Sequence, residues 1–239
     1  MKTLITGGTV VTAIDTMDAD VLIDGEKVVA IAAPGSHEWT DAADTVIDAT
    51  GKFVVPGGVD PHTHMQLPFG GTYAADSFET GSRAAAWGGT TTIVDFAVQV
   101  KGESLIDGFD TWMAKAEGNC AIDYGFHMIA GEINEQSLAD MDVLIERGCT
   151  SFKLFMAYPG VFYSDDGEIL RAMQKAAATR SMIMMHAENG MAIDVLREQA
   201  LERGETDPVY HSITRPSLTE SEATHRAIVL AELAGAHLY

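Results

Sequence analysis

Apolar and polar positions alternate along the first fifty residues. Thr3 to Val11, Asp20 to Ile23 and Lys27 to Ala32 are rich in β-branched side chains, and Gly7-Gly8, Asp24-Gly25 and Pro34-Gly35 punctuate them. Asp24-Gly25 between two apolar runs is a hairpin signal, so a small antiparallel sheet is expected here. From Phe53 the pattern changes to short apolar runs separated by helical periodicity. Candidate strands are Phe53–Asp60, Thr91–Phe96, Tyr124–Ile129, Thr150–Phe155 and Met182–His186. Helix starts of the capping-box type are expected at Asp76/Glu79, Asp165/Glu168 and Thr219/Glu222. Gly88-Gly89, Gly118 and Gly148 stand where helices should stop. Strands without alternation, separated by helices, predict a parallel α/β sheet buried on both faces. Five βα units are countable, and His237-Leu238-Tyr239 reads as the start of a sixth strand.

Composition narrows the function classes. Lys plus Arg number 15 against 35 Asp plus Glu, a net charge of −20. That balance argues against a sequence-independent grip on nucleic acid and against an anionic membrane surface. No apolar run is long enough for a spanning helix, and the N-terminus breaks at Gly7-Gly8 too early for a signal-peptide core. Cys120 and Cys149 have no metal spacing, so a reducing cytoplasm is the expected location.

Candidate chemistry gathers at strand ends. Asp60-Pro61-His62-Thr63-His64 closes the first barrel-type strand. In extended chain His62 and His64 point to one side, which suits a shared metal. Lys153 sits within the apolar run Ser151-Phe152-Lys153-Leu154-Phe155. A desolvated lysine tends to lose its proton, and the neutral amine can take up carbon dioxide as a carbamate. His186 ends the fifth strand in Met184-Met185-His186-Ala187-Glu188-Asn189. All four residues fall at the carboxyl ends of expected strands, the rim on which βα barrels build active sites. Met182, Met184, Met185 and Cys149 read as core. His37, His127, His211, His225 and His237 read as structural. Asp95, ending the second strand, could line the rim but reads more readily as a cap or turn residue.

Long motifs around these positions resemble the dihydropyrimidinase/D-hydantoinase family of the amidohydrolase superfamily. They are Pro56–Thr72 with its Pro-Gly-Gly-Val-Asp-Pro-His-Thr-His start, Gly88–Phe96, and Ser151–Tyr158. The resemblance implies a (β/α)8 barrel of the TIM type, here truncated after about five βα units. Residues 1–52 would be the N-terminal part of a small β-sandwich, and 53–239 the catalytic barrel. It also implies two divalent ions, zinc foremost, with manganese or cobalt acceptable to the same donors. His62 and His64 would hold one ion, His186 the other, and N-carboxylated Lys153 would bridge them. Tyr158 would hydrogen-bond the developing oxyanion. Met65, Leu67, Phe152 and Phe155 are apolar near the expected rim, with alternation along the fourth strand able to turn one phenylalanine into the core, and Met65 and Phe152 are expected in the substrate pocket. The implied substrate is a small cyclic ureide or imide, opened to an N-carbamoyl amino acid. The implied full-length assembly is a homotetramer. The family's last histidine ligand and its catalytic aspartate have no counterpart in 1–239, so this stretch alone is expected to be inactive.

Three rival readings share the resemblance. Dihydroorotases carry an arginine two residues after the histidine pair, where this chain has Gln66. Allantoinases share the chemistry. The non-catalytic collapsin response mediator proteins lose the metal ligands, whereas the four ligands expected within this length are present here.

Overall fold

The computed structural model describes residues 1–35 and 37–239; the side chain of His37 also lies outside the described set. The chain divides into two compact units, Met1–Gly58 and Val59–Tyr239.

The first unit contains β1 (Lys2–Val11), β2 (Thr16–Asp24), β3 (Lys27–Ala32), the short helix α1 (His37–Ala42), β4 (Thr45–Asp48) and β5 (Phe53–Val54). The hairpin expected at Asp24-Gly25 joins β2 to β3, with Asp24 opposite Lys27. β1 lies centrally, antiparallel to β2 and parallel to β4 and β5. Val10, Ala19 and Val21 form its small core.

The second unit begins with β6 (Gly58–Thr63), the hairpin β7 (Pro68–Phe69) and β8 (Thr72–Tyr73), then α2 (Phe78–Trp87) and β9 (Thr90–Val98). It continues through α3 (Leu105–Ala116), β10 (Asp123–Ile129), α4 (Glu135–Glu146), β11 (Ser151–Phe155), α5 (Asp166–Thr179) and β12 (Met182–His186). Helices α6 (Gly190–Glu202), α7 (Val209–Ile213) and α8 (Ser217–Ala234) lead to β13 (His237–Leu238). The strand order is β13-β12-β11-β10-β9-β6, and the pairings from β9 to β13 are parallel.

Alternation decides what each strand presents. On β11, Phe152 and Leu154 are 1% and 0% exposed. They join Met128, Ile169, Met173 and Ile183 in the main core. Ser151 and Lys153 face the other way and are half-buried.

Several expectations are corrected. The run Phe53–Asp60 is not one strand. Pro56 lacks a donor and the Gly57-Gly58 pair favours a bend, so β5 and β6 are separate and β6 carries on through His62. The α2 capping box uses Ser77 and Thr80, not Asp76 and Glu79. Helix α8 starts behind Pro216 without a side-chain cap, and Thr219 lies in its first turn. The Asp165/Glu168 box is present as expected. Met184 is core, but Met182 is 40% exposed. Cys149 is a buried thiol whose pKa burial pushes up to about 11.

Candidate metal centre

His62 and His64 project from the same side of the arm formed by β6 and the residue after it. Their ring centroids are 5.1 Å apart, and Phe96 of β9 packs against both, at 4.6 and 4.9 Å. Both imidazoles remain open to solvent on one face. Loss of hydration and the positive charge of Lys153 hold His62 below the ordinary imidazole pKa. The same desolvation, with His62 and Lys153 beside it, lowers His64. Neutral imidazoles are the form that binds a metal.

Lys153 faces this pair from the middle of β11. Its Nζ lies 5.9 Å from the Phe96 ring and 5.7 Å from the Phe155 ring. Among the described residues it has neither a hydrogen bond nor an ion pair. Burial lowers its pKa, because an ammonium loses hydration there without gaining a partner.

His186 closes β12 and stacks on Phe155 at 5.5 Å. Its Nε2 meets the Glu188 carboxylate at 2.6 Å, leaving Nδ1 without a partner among the described residues. A carboxylate on one imidazole nitrogen fixes the ring and commits the other to a ligand.

Among the described residues no three His, Cys, Asp or Glu side chains converge tightly enough to hold a metal by themselves. The donor set nevertheless fits a divalent pair once Lys153 is counted. Imidazole nitrogens and a half-buried amine are nitrogen donors of the kind divalent ions accept.

Tyr158 lies in the turn after β11 with φ 59°, a left-handed conformation that is uncommon outside glycine and clusters at functional sites. Val161 and Phe162 donate backbone N–H groups to its carbonyl. Its ring packs on His186 at 5.2 Å and on Phe69 at 5.4 Å. Burial and the nearby Glu188 raise the phenol pKa, so the hydroxyl stays a donor. Pro68, Phe69, Tyr73, Val161 and Phe162 line an apolar cleft beside it. The β7–β8 turn that carries Phe69 needs glycine, since Gly70 and Gly71 have φ of 61° and 81°.

The two other pocket residues expected from the sequence fall elsewhere. Phe152 is on the face of β11 opposite Lys153, inside the core. Met65 is buried against Gly81 of α2, where any Cβ would meet its Sδ at 2.2 Å. Phe69 and Phe162 line the cleft beside Tyr158, and Phe155, expected near the rim, packs on Tyr158 and Phe162.

His127, expected to be structural, has partners that the sequence did not indicate. Its Nε2–H donates to the Pro61 carbonyl at 2.9 Å, and its Nδ1 accepts from the Ser151 hydroxyl. It ties β10 to the residue before His62. An imidazole among the apolar positions of Asp123–Ile129 was the available signal. Asp95 is 0% exposed and its pKa is raised by burial to about 6, from an ordinary 3.8. Between those values the folded chain keeps a proton that the unfolded chain releases. Stability of the metal-free protein should therefore fall as pH rises through that window. Asp95→Asn is expected to flatten this slope, measured by denaturant midpoints at stepped pH.

Comparison with known proteins shows the family. Residues 53–213 match the Amidohydrolase family model. The chain therefore belongs to the amidohydrolase family. It is 66% identical to a D-hydantoinase of Streptomyces coelicolor, over 100% of this chain and 51% of that protein. It is 50% identical to a D-hydantoinase of Geobacillus stearothermophilus, over 100% of this chain and 50% of that one. The crystal structure of a dihydropyrimidinase from Brevibacillus agri superposes with a TM-score of 0.95 at 51% identity, covering 100% of this chain and 51% of that chain. The chain thus spans about half the length of these relatives. The parallel sheet is part of a barrel of this superfamily. No helix among the described residues is long and apolar enough to cross a membrane.

Proposed function

We propose that the protein is a metal-dependent cyclic amidohydrolase that opens dihydropyrimidines or 5-substituted hydantoins to N-carbamoyl amino acids. The observation that carries this reading is the half-buried Lys153, without a hydrogen-bond or ion-pair partner among the described residues and close enough to His62 and His64 to lower both their pKa values. Its support outside this chain is the likeness to D-hydantoinases and a dihydropyrimidinase.

A divalent metal pair, zinc in this proposal, supplies a lowered water pKa and polarisation of the ring carbonyl when bound. The chain's own residues do the rest. His62 and His64 offer neutral ring nitrogens, and His186 offers Nδ1 while Glu188 holds Nε2. The Lys153 amine forms an N–C bond to carbon dioxide and gives up a proton to solvent. The resulting carbamate brings two anionic oxygens between the histidines. Tyr158 donates its hydroxyl hydrogen to the oxygen on which charge grows as water adds to the carbonyl carbon. The ring C–N bond then breaks and the nitrogen takes up a proton. Phe69, Phe162 and Tyr73 receive the 5-substituent and exclude water from it.

Substrate choice tests the reading. Among the described residues the lining of this cleft is mostly apolar and holds no Lys or Arg, while Arg215 lies on the other side of Tyr158 beside Glu188, so a carboxylated ring seated against Phe69 and Phe162 would lose hydration without a direct cationic partner. The protein at its full natural length is expected to turn over dihydrouracil and apolar 5-substituted hydantoins about 10³-fold or more faster than dihydroorotate in kcat/KM. Comparable turnover of dihydroorotate would contradict the assignment.

A further inference from the structure

We propose that Asp95 is a positioning residue that fixes the aim of the His62/His64 pair by gripping the residues on either side of His64. The proposal rests on the metal-binding reading above and adds to it how the pair is held. Asp95 Oδ2 accepts the Thr63 hydroxyl at 2.8 Å and the Met65 backbone N–H at 2.8 Å. Its Oδ1 accepts the Phe96 backbone N–H at 2.8 Å, which orients the carboxylate on its own strand.

The alternation of extended chain gives this grip its consequence. Residues 62 and 64 present imidazoles to one side, and Thr63 presents its hydroxyl to the other. One carboxylate oxygen therefore holds the arm immediately before and after His64. On the imidazole side the next residue of β9, Phe96, packs under both rings. β9 thus contacts the arm from both faces, with the carboxylate behind it and the phenyl ring beneath the ligands. The carboxylate is fully buried. Burying it is unfavourable, and its three hydrogen bonds, two of them from buried backbone N–H groups, offset that cost while fixing the arm to β9. Partners that orient metal ligands in this way typically change metal affinity about 10–100-fold when removed.

The test uses cobalt(II) titration of the metal-free protein at its full natural length, followed by visible absorption and metal stoichiometry. Thr63→Val removes the hydroxyl at nearly constant shape, Thr63→Ser keeps it, and Asp95→Asn replaces the charged acceptor. Thr63→Val and Asp95→Asn are expected to weaken cobalt binding about 10–100-fold and to alter the cobalt absorption band, while Thr63→Ser binds as the parent does. Melting of metal-free Thr63→Val should stay within a few degrees of the parent. If Asp95→Asn does not fold, the Thr63→Val and Thr63→Ser pair decides. Parent-like affinity and spectrum in Thr63→Val would overturn the proposal, as would a loss in Thr63→Val that Thr63→Ser shares in full. A His62→Ala/His64→Ala control separates the two readings. If that control still binds cobalt normally, the metal-binding reading itself has failed. If it loses cobalt while Thr63→Val does not, only the role of Asp95 is rejected.

Discussion

Lys153→Ala is expected to remove most of the bound metal and to lower ring opening by about 10⁴-fold or more, as losing one member of an interdependent catalytic set does. The reason lies in the charge arrangement. Imidazole ligands bring no negative charge, and the nearby carboxylates are already engaged, Glu188 with Nε2 of His186 and Asp60 with the backbone N–H of His62. A carbamate on Lys153 would add the anionic charge that a pair of dications needs. An alanine leaves the β11 backbone and its buried neighbours Phe152 and Leu154 in place, so the fold should survive the change. Short carboxylic acids added to Lys153→Ala should restore part of both metal content and rate, because they fit the space the carbamate would fill. Normal metal content and turnover in Lys153→Ala would show that the lysine bridges nothing.

Tyr158→Phe is expected to reduce kcat about 10²–10³-fold with little change in KM, the usual cost of losing one preorganised oxyanion donor. The ring is already held by Phe69, Phe155 and His186, so phenylalanine should keep the packing and lose only the hydroxyl. The left-handed backbone at this residue is retained by the N–H groups of Val161 and Phe162 that grip its carbonyl. Steady-state kinetics on an apolar hydantoin measure the effect. An unchanged kcat, or a loss confined to KM, would remove Tyr158 from the chemical step.

Much of the fold was legible because short apolar runs and helical stretches alternate so regularly after Phe53. The strands at Tyr124–Ile129, Thr150–Phe155 and Met182–His186 emerge within a residue of their observed bounds. The junction around Pro56 was not legible as a break. Propensity sees one β-rich run, while the missing proline donor and the glycine pair divide it between two sheets. At Asp76/Glu79 the true cap lies one residue later, since Ser77 followed by Thr80 offers the same reciprocal bonds. The site's histidines and lysine were legible because each is polar at the end of, or inside, an apolar run. Phe152 was misplaced because a strand's period of two sends neighbours to opposite faces, and the sequence does not say which face is inward. The partners of Asp95 and His127 were not legible because those contacts lie 30 and 66 residues away along the chain. No local pattern carries that information.

The most direct measurement is ¹³C NMR of the metal-loaded protein, at its full natural length, prepared in ¹³C-bicarbonate and compared with Lys153→Ala. The parent should show one carbamate carbon per chain accompanied by two divalent ions, and Lys153→Ala should lose that resonance together with the metal. A fully metal-loaded parent with no carbamate carbon, or the same resonance persisting in Lys153→Ala, would contradict the assignment of Lys153 as the anionic bridge of this centre.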